Sequence, residues 1–265
     1  MTTEATRGQY VEVDGARIYY EEQGSGEPFL LLHGGLMSSA GWAELAPLLA
    51  TRFRVITPDS RGHGRSSNPS GRLSYGQLAD DMVALIAALG LRRPAVGGWS
   101  DGGQVVLEIG VRYPNAARAL VIGGALSDFG AEYQDAMRQV FGTEPGMTVD
   151  AETIEATLGE WMSRFRAMFA GDDDAWRAFL RQSVAMWLDY PGLTEAELQR
   201  ATAPALVLIG DRDDLVPIEA AVAMYRMLPN GELAVCPHTT HALPFTHAAW
   251  FAATVREFLD RHMAA

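Results

Sequence analysis

At 265 residues, with 48% hydrophobic and 20% charged residues, the chain suits one large globular α/β domain and not a disordered tract. Its net charge of −12 excludes the basic face that nucleic acid or an anionic membrane surface needs. All 21 basic residues are arginine and Cys236 is the one cysteine, which excludes a lysine Schiff base, a P-loop lysine, a Ser–Lys dyad, an internal disulfide framework and a Cys-rich zinc site.

The opening MTTEATRGQY has no apolar core of a signal peptide. No later apolar run approaches the ~18 residues of a membrane helix. The expectation is a soluble cytoplasmic protein, monomer or homodimer, whose partner is a small-molecule substrate. Gln9–Val13 and Arg17–Glu21 flank Asp14-Gly15 and predict a β-hairpin. Phe29–Leu32 predicts a short strand running into His33-Gly34-Gly35, and Arg52–Thr57 another running into Pro58-Asp59. Tyr75–Leu89 predicts a helix, because Leu78, Met82, Leu85, Ile86 and Leu89 share one face. Pro94–Trp99 predicts a strand, Gln104–Arg112 a helix and Ala119–Gly123 a strand. After residue 200, Ala205–Ile209 and Glu232–Val235 predict strands, Ile218–Leu228 and Ala248–Arg261 helices. The alternation predicts an α/β fold with a mostly parallel twisted sheet flanked by helices.

Residues 127–200 break that rhythm. They hold 10 of the 24 aromatic residues and 5 of the 11 methionines, and −8 of the net charge. Helical spacing such as Trp161, Phe165, Met168, Phe169 predicts a helical cap inserted into a core made of 1–126 and 201–265. Trp161, Trp176 and Trp187 are candidates for an apolar substrate pocket above the sheet edge. The plainer alternative is that such aromatics pack the insertion onto the main body.

The chemistry concentrates at Gly98-Trp99-Ser100-Asp101-Gly102, between a predicted strand and a predicted helix. A turn that tight needs small residues two before and two after the serine, and it presents Ser100 as a nucleophile at the positive end of a helix. A serine needs a base, and the base an orienting acid. Four histidines follow Ser100: His238, His241, His247 and His262. His241, in the loop past the strand Glu232–Val235 and just ahead of Ala242-Leu243-Pro244, is the expected base. A metal site on His238 and His241 lacks a third ligand, so no metal and no cofactor is expected. Asp213, after the strand Ala205–Ile209, is the expected acid, with Asp211 and Asp214 as solvated or capping residues and Asp128 as the rival. Backbone N–H groups of Gly35 and Asp101 are the expected oxyanion donors. His33 reads as structural, and Asp59 to Ser66 as an ordered turn beneath the site.

These segments together resemble the α/β-hydrolase superfamily over residues 9–262. His33-Gly34-Gly35, the Asp59–Ser66 stretch, GWSDGG from Gly98 to Gly103, Gly210-Asp211-Arg212-Asp213 followed by Val216-Pro217, and His241 fall in that family's order. The resemblance implies a Ser100–Asp213–His241 triad and residues 127–200 as the family's variable cap. GWSDGG is similar to the elbow of biphenyl-hydrolase-like esterases. The expected activity is hydrolysis of carboxylic esters of small, largely apolar substrates through an acyl-enzyme. C–C bond hydrolysis, perhydrolysis, aminoacyl ester or iminopeptide cleavage, and a small-molecule receptor with a vestigial triad are the alternatives.

Overall fold

The computed structural model describes residues 8–143 and 147–263. The first half runs β1 (Gln9–Val13), β2 (Ala16–Gln23), β3 (Pro28–Leu32), α1 (Leu45–Ala50), β4 (Arg54–Pro58), α2 (Tyr75–Ala88), β5 (Ala95–Trp99), α3 (Asp101–Arg112) and β6 (Ala119–Gly123). Helices α4 (Ala131–Val140), α5 (Ala151–Leu158), α6 (Trp161–Met168), α7 (Asp173–Asp189) and α8 (Glu195–Leu198) follow. The chain closes with β7 (Ala205–Gly210), α9 (Ile218–Met227), β8 (Gly231–Cys236), α10 (Leu243–Thr246) and α11 (Ala248–Met263).

Among the described residues eight strands make one sheet in the order β1-β2-β4-β3-β5-β6-β7-β8. β2 pairs antiparallel with β1 and with β4. Every other neighbouring pair is parallel. Strands buried on both faces need no polar alternation, and β5, β6 and β7 are accordingly buried at every residue. The β1–β2 turn places Asp14 (φ 44) and Gly15 (φ 72) in the left-handed region, as a two-residue hairpin requires.

Each sheet face carries its own apolar layer. One gathers α2, α3 and the insertion around Leu30, Leu32, Val96, Leu120 and Ile122. The other sets α1 and α11 against Phe29, Leu31, Ala95, Val121 and Leu208. Helices α4–α8 occupy the span between β6 and β7, which are themselves adjacent in the sheet. The two ends of that insertion meet: Leu193 donates its N–H to the Ser127 carbonyl at 2.7 Å, and Asp128 bridges Gly192. Among the described residues no helix is long and apolar enough to cross a membrane.

Most boundaries shift by one to three residues from the sequence expectation, and two of the shifts have a plain physical cause. β4 begins at Arg54, because the N–H groups of Arg52 and Phe53 both bond the Leu49 carbonyl at the end of α1. Helix α3 begins at Asp101, three residues early, because the Gln104 N–H already bonds the Ser100 carbonyl at 2.9 Å. The six-residue α1, which contains Pro47, has too little periodicity to be read from sequence.

Candidate active site

The end of β5 and the start of α3 make the turn that carries Ser100. Ser100 has φ 55 and ψ −121, a conformation that non-glycine residues seldom hold. The surroundings impose it. The Ser100 N–H donates to the Gly123 carbonyl at 2.8 Å. A Cβ on Gly98 would fall 2.9 Å from the Gly103 nitrogen, and one on Gly102 would fall 2.6 Å from the His33 carbonyl oxygen. Glycines at these positions let the strand, the helix and the His33–Gly35 loop close on one another.

β7 and the loop after β8 supply the acid and the base. A Cβ on Gly210 would meet the Thr239 carbonyl carbon at 2.7 Å, so β7 ends pressed against the histidine loop. The Asp213 side chain is fully buried, and its Oδ1 accepts from the N–H groups of Leu215 (3.0 Å) and Val216 (2.8 Å). His241 Nδ1 lies 2.9 Å from Asp213 Oδ2 and 3.0 Å from Oδ1. A carboxylate can only accept, so Nδ1 carries the proton and Nε2 the lone pair. Nε2 is buried and, among the described residues, has no hydrogen-bond partner. Asp211 and Asp214 hold this loop by its backbone, accepting from the N–H groups of Thr239 (3.2 Å) and His241 (3.3 Å). Trp99 Nε1 donates to the His241 carbonyl at 3.0 Å, and a Cβ on Gly124 would meet His241 Cε1 at 3.0 Å, which sets the imidazole beside the elbow. Asp128 is exposed and accepts from the Gly130 N–H at 2.7 Å, so it orients its own turn.

His33 and Ser60 organise the loop after β3. The Ser60 N–H donates to His33 Nε2 at 2.9 Å, so Nδ1 must carry the proton that bonds the Gly34 carbonyl at 2.8 Å. Burial holds the His33 pKa below its ordinary value, which preserves the neutral ring this arrangement needs. With the Gly34 carbonyl tied to His33, the Gly35 N–H of the same peptide points the opposite way. A Cβ on Gly34 would lie 3.3 Å from Ser100 Cβ, so the loop stands directly beside the nucleophile candidate. Beneath it, Asp59 accepts from the N–H groups of Ser39 (2.7 Å) and Arg65 (2.8 Å). Arg61 makes a buried two-pronged ion pair with Asp81, at 2.6 and 2.7 Å. His63 bonds the Arg61 carbonyl at 3.0 Å and lies between the rings of His33 (5.0 Å) and Phe179 (4.6 Å).

A model of the alpha/beta hydrolase family matches residues 29–254, a span that takes in every residue of this arrangement. The chain belongs to that family. This hydrolase is 26% identical to a 2-hydroxymuconate semialdehyde hydrolase of Pseudomonas sp. strain CF600, over 97% of this chain and 95% of the relative. It is 27% identical to the Serine hydrolase BPHL of Homo sapiens, over 94% and 85%. A thermophilic esterase from Thermogutta terrifontis, solved with malate bound, superposes with a TM-score of 0.78 at 25% identity, over 97% and 99%.

Of the three tryptophans expected at the hydrolase's pocket, one reaches the elbow. Trp187 Nε1 donates to Asp101 Oδ2 at 2.9 Å. Trp176 instead is buried with Phe169 and Phe179 and bonds Glu155 at 3.2 Å, so it packs the insertion's own core. Trp161 is 52% exposed on α6, beside Phe165 and Arg164. Sequence reasoning also missed the Asp101 side chain, whose Oδ1 accepts from the Tyr75 hydroxyl at 2.7 Å. Burial raises the Asp101 pKa, against the pull of the Trp187 and Tyr75 bonds and the neighbouring His241. The acid within GWSDGG was the available signal. Among the described residues, no group of three His, Cys, Asp or Glu side chains is placed to hold a metal ion.

Proposed function

We propose that this protein is a serine hydrolase that cleaves carboxylic esters of small, largely apolar substrates through an acyl-enzyme. The observation that carries the reading is His241: its Nδ1 proton is committed to Asp213, its Nε2 lone pair is buried and unpartnered among the described residues, and its backbone is tied to Trp99, the residue before Ser100. In that arrangement Nε2 accepts the Ser100 proton as Oγ attacks the ester carbon. The imidazolium formed is stabilised by Asp213 and returns the proton to the departing alcohol. The N–H groups of Gly35 and Asp101 receive the negative oxygen of the tetrahedral intermediate, held by the backbone before substrate arrives. Water then repeats the cycle on the acyl-enzyme, with His241 as the base.

The relative named for 2-hydroxymuconate semialdehyde raises C–C bond hydrolysis as a second reading, since that substrate has no ester to break. Its substrate is also an anion. The Asp101 carboxylate beside Gly35 repels an anionic acyl group and suits a neutral or cationic one, which favours the ester reading. The test is steady-state turnover of a neutral p-nitrophenyl ester, a valine ester and a 2-hydroxy-6-oxodienoate, with fluorophosphonate labelling of wild type and Ser100→Ala. The expected result is many turnovers on the uncharged or cationic ester and a single adduct at Ser100. Turnover confined to the dienoate overturns the ester reading. A single turnover that leaves a stable adduct identifies a receptor instead.

A further inference from the structure

We propose that Trp187 and Tyr75 are positioning residues that hold both oxyanion donors in place by clamping the side chain of Asp101. The inference rests on the hydrolase reading above and concerns groups that touch no reacting atom. Ser100 sits at φ 55, a strained conformation that persists only where its surroundings fix it. Behind it, the Ser100 N–H is tied to the Gly123 carbonyl at 2.8 Å. Ahead of it, the next residue is tied at its side chain. Asp101 Oδ1 takes the Tyr75 hydroxyl at 2.7 Å and Oδ2 takes the Trp187 indole N–H at 2.9 Å. The peptide N–H between Ser100 and Asp101 is thus pinned on both sides.

The same clamp abuts the second donor. A Cβ on Gly35 would lie 2.5 Å from Asp101 Oδ2 and 3.0 Å from Trp187 Cζ2. The carboxylate and the indole therefore form the wall against which the Gly35 peptide rests. Each carboxylate oxygen thus has a donor outside the hole.

The two donors come from different parts of the molecule. Tyr75 is the first residue of α2, whereas Trp187 lies in the last turn of α7, within the insertion. The contact continues along α3. Asp101, Gln104 and Glu108 are spaced three and four apart on one helical face. The Tyr190 hydroxyl donates to Glu108 at 2.5 Å and accepts from Gln104 at 3.1 Å. Trp187 and Tyr190 thus grip the polar stripe of the nucleophile-bearing helix, and the core without the insertion holds only half of the Asp101 clamp.

The experiment uses Trp187→Phe and Tyr75→Phe, which keep a ring and remove one donor each, together with Asp101→Ala, which removes both acceptors, and the Asp101→Ala/Trp187→Phe double variant. Turnover of a neutral p-nitrophenyl ester is followed with pH. Losing an oxyanion donor outright costs about 10²–10³-fold in kcat. Displacing one should cost roughly ten- to 100-fold in kcat with KM little changed. The loss appears in kcat and not in KM at every pH, because the clamp positions donors that are used only in the transition state. The double variant is no slower than Asp101→Ala alone, since that change already removes the acceptor of the Trp187 bond. Phe variants with wild-type kcat, or with the loss in KM instead, overturn the clamp, as do losses that multiply in the double. If Trp187→Phe misfolds, Tyr75→Phe decides alone on the same readouts. Wild type that fails to label with fluorophosphonate at Ser100 overturns the hydrolase reading itself. Labelled wild type with unchanged Phe variants overturns only the clamp.

Discussion

Replacing His63 by asparagine should make the protein's stability less sensitive to acid. Burial, with a smaller push from His33, drops the His63 pKa from 6.5 to about 3. The folded protein therefore keeps His63 neutral at pH values where the unfolded chain has already taken up a proton. Its contribution is complete above about pH 6.5 and drains away as pH falls toward 3. Each pH unit in that window costs about 1.4 kcal/mol per such group. The loss attributable to His63 is about 2 kcal/mol at pH 5 relative to pH 8, and about 4 kcal/mol by pH 3. Asparagine cannot titrate, and its amide can still donate to the Arg61 carbonyl as Nδ1 does at 3.0 Å. It gives up the contact with Phe179, so the variant is less stable at every pH. The informative quantity is the slope. Urea unfolding at pH 8, 7, 6 and 5 should show the wild type losing about 2 kcal/mol more than the variant over that range. Working above pH 5 keeps most carboxylates out of the comparison. Parallel curves for the two proteins would refute the argument, because they would mean that His63 is not held neutral by its surroundings.

Two more outcomes follow from the site. Asp213→Asn should lower kcat by about 10⁴-fold with the fold intact, because an amide stabilises the wrong imidazole tautomer, while Asp128→Asn stays within a few-fold; ester turnover and circular dichroism on both variants check this. Gly102→Ala places a methyl 2.6 Å from the His33 carbonyl, which is backbone and cannot rotate away. It should cost roughly 1–3 kcal/mol of stability and, by shifting α3 from the His33–Gly35 loop by about 1 Å, on the order of 100-fold in kcat/KM. Urea titration and ester kinetics measure both, and unchanged kinetics would mean that the two segments can separate freely.

The sheet and the elbow were legible because their signals are local. Ala95–Trp99 is buried throughout and reads as a strand, and the glycines around Ser100 answer to contacts within a few residues or on the neighbouring loop. The acid region was legible only in part. Asp211, Asp213 and Asp214 are alike in sequence, and the structure uses all three on the histidine loop, one on the ring of His241 and two on backbone N–H groups. The tryptophans of the insertion were not separable. Trp161, Trp176 and Trp187 all sit at apolar helical spacing; Trp161 falls on an exposed side of α6, while Trp176 and Trp187 share one face of α7 and differ by what the two ends of that helix meet. Trp187 meets Asp101 across 86 residues of chain. No local pattern encodes a contact of that separation, and none marked Tyr75 at the start of α2 as the other half of it.

The pinch at Ser127–Leu193 and Asp128–Gly192 has a consequence for how such a chain tolerates change. Sixty-odd residues leave the sheet and return through a gap closed by a bridge and one backbone hydrogen bond. Lengthening a loop whose ends are already joined adds little closure entropy, about 0.6 kcal/mol per doubling. β6 and β7 keep their pairing whatever hangs between them. Replacement segments spliced at this neck can therefore vary in length and composition while the strands that carry Ser100, Asp213 and His241 stay in register. What a replacement gives up is the Phe179 ring against His63 and, at the end of α7, the indole and phenol that meet α3.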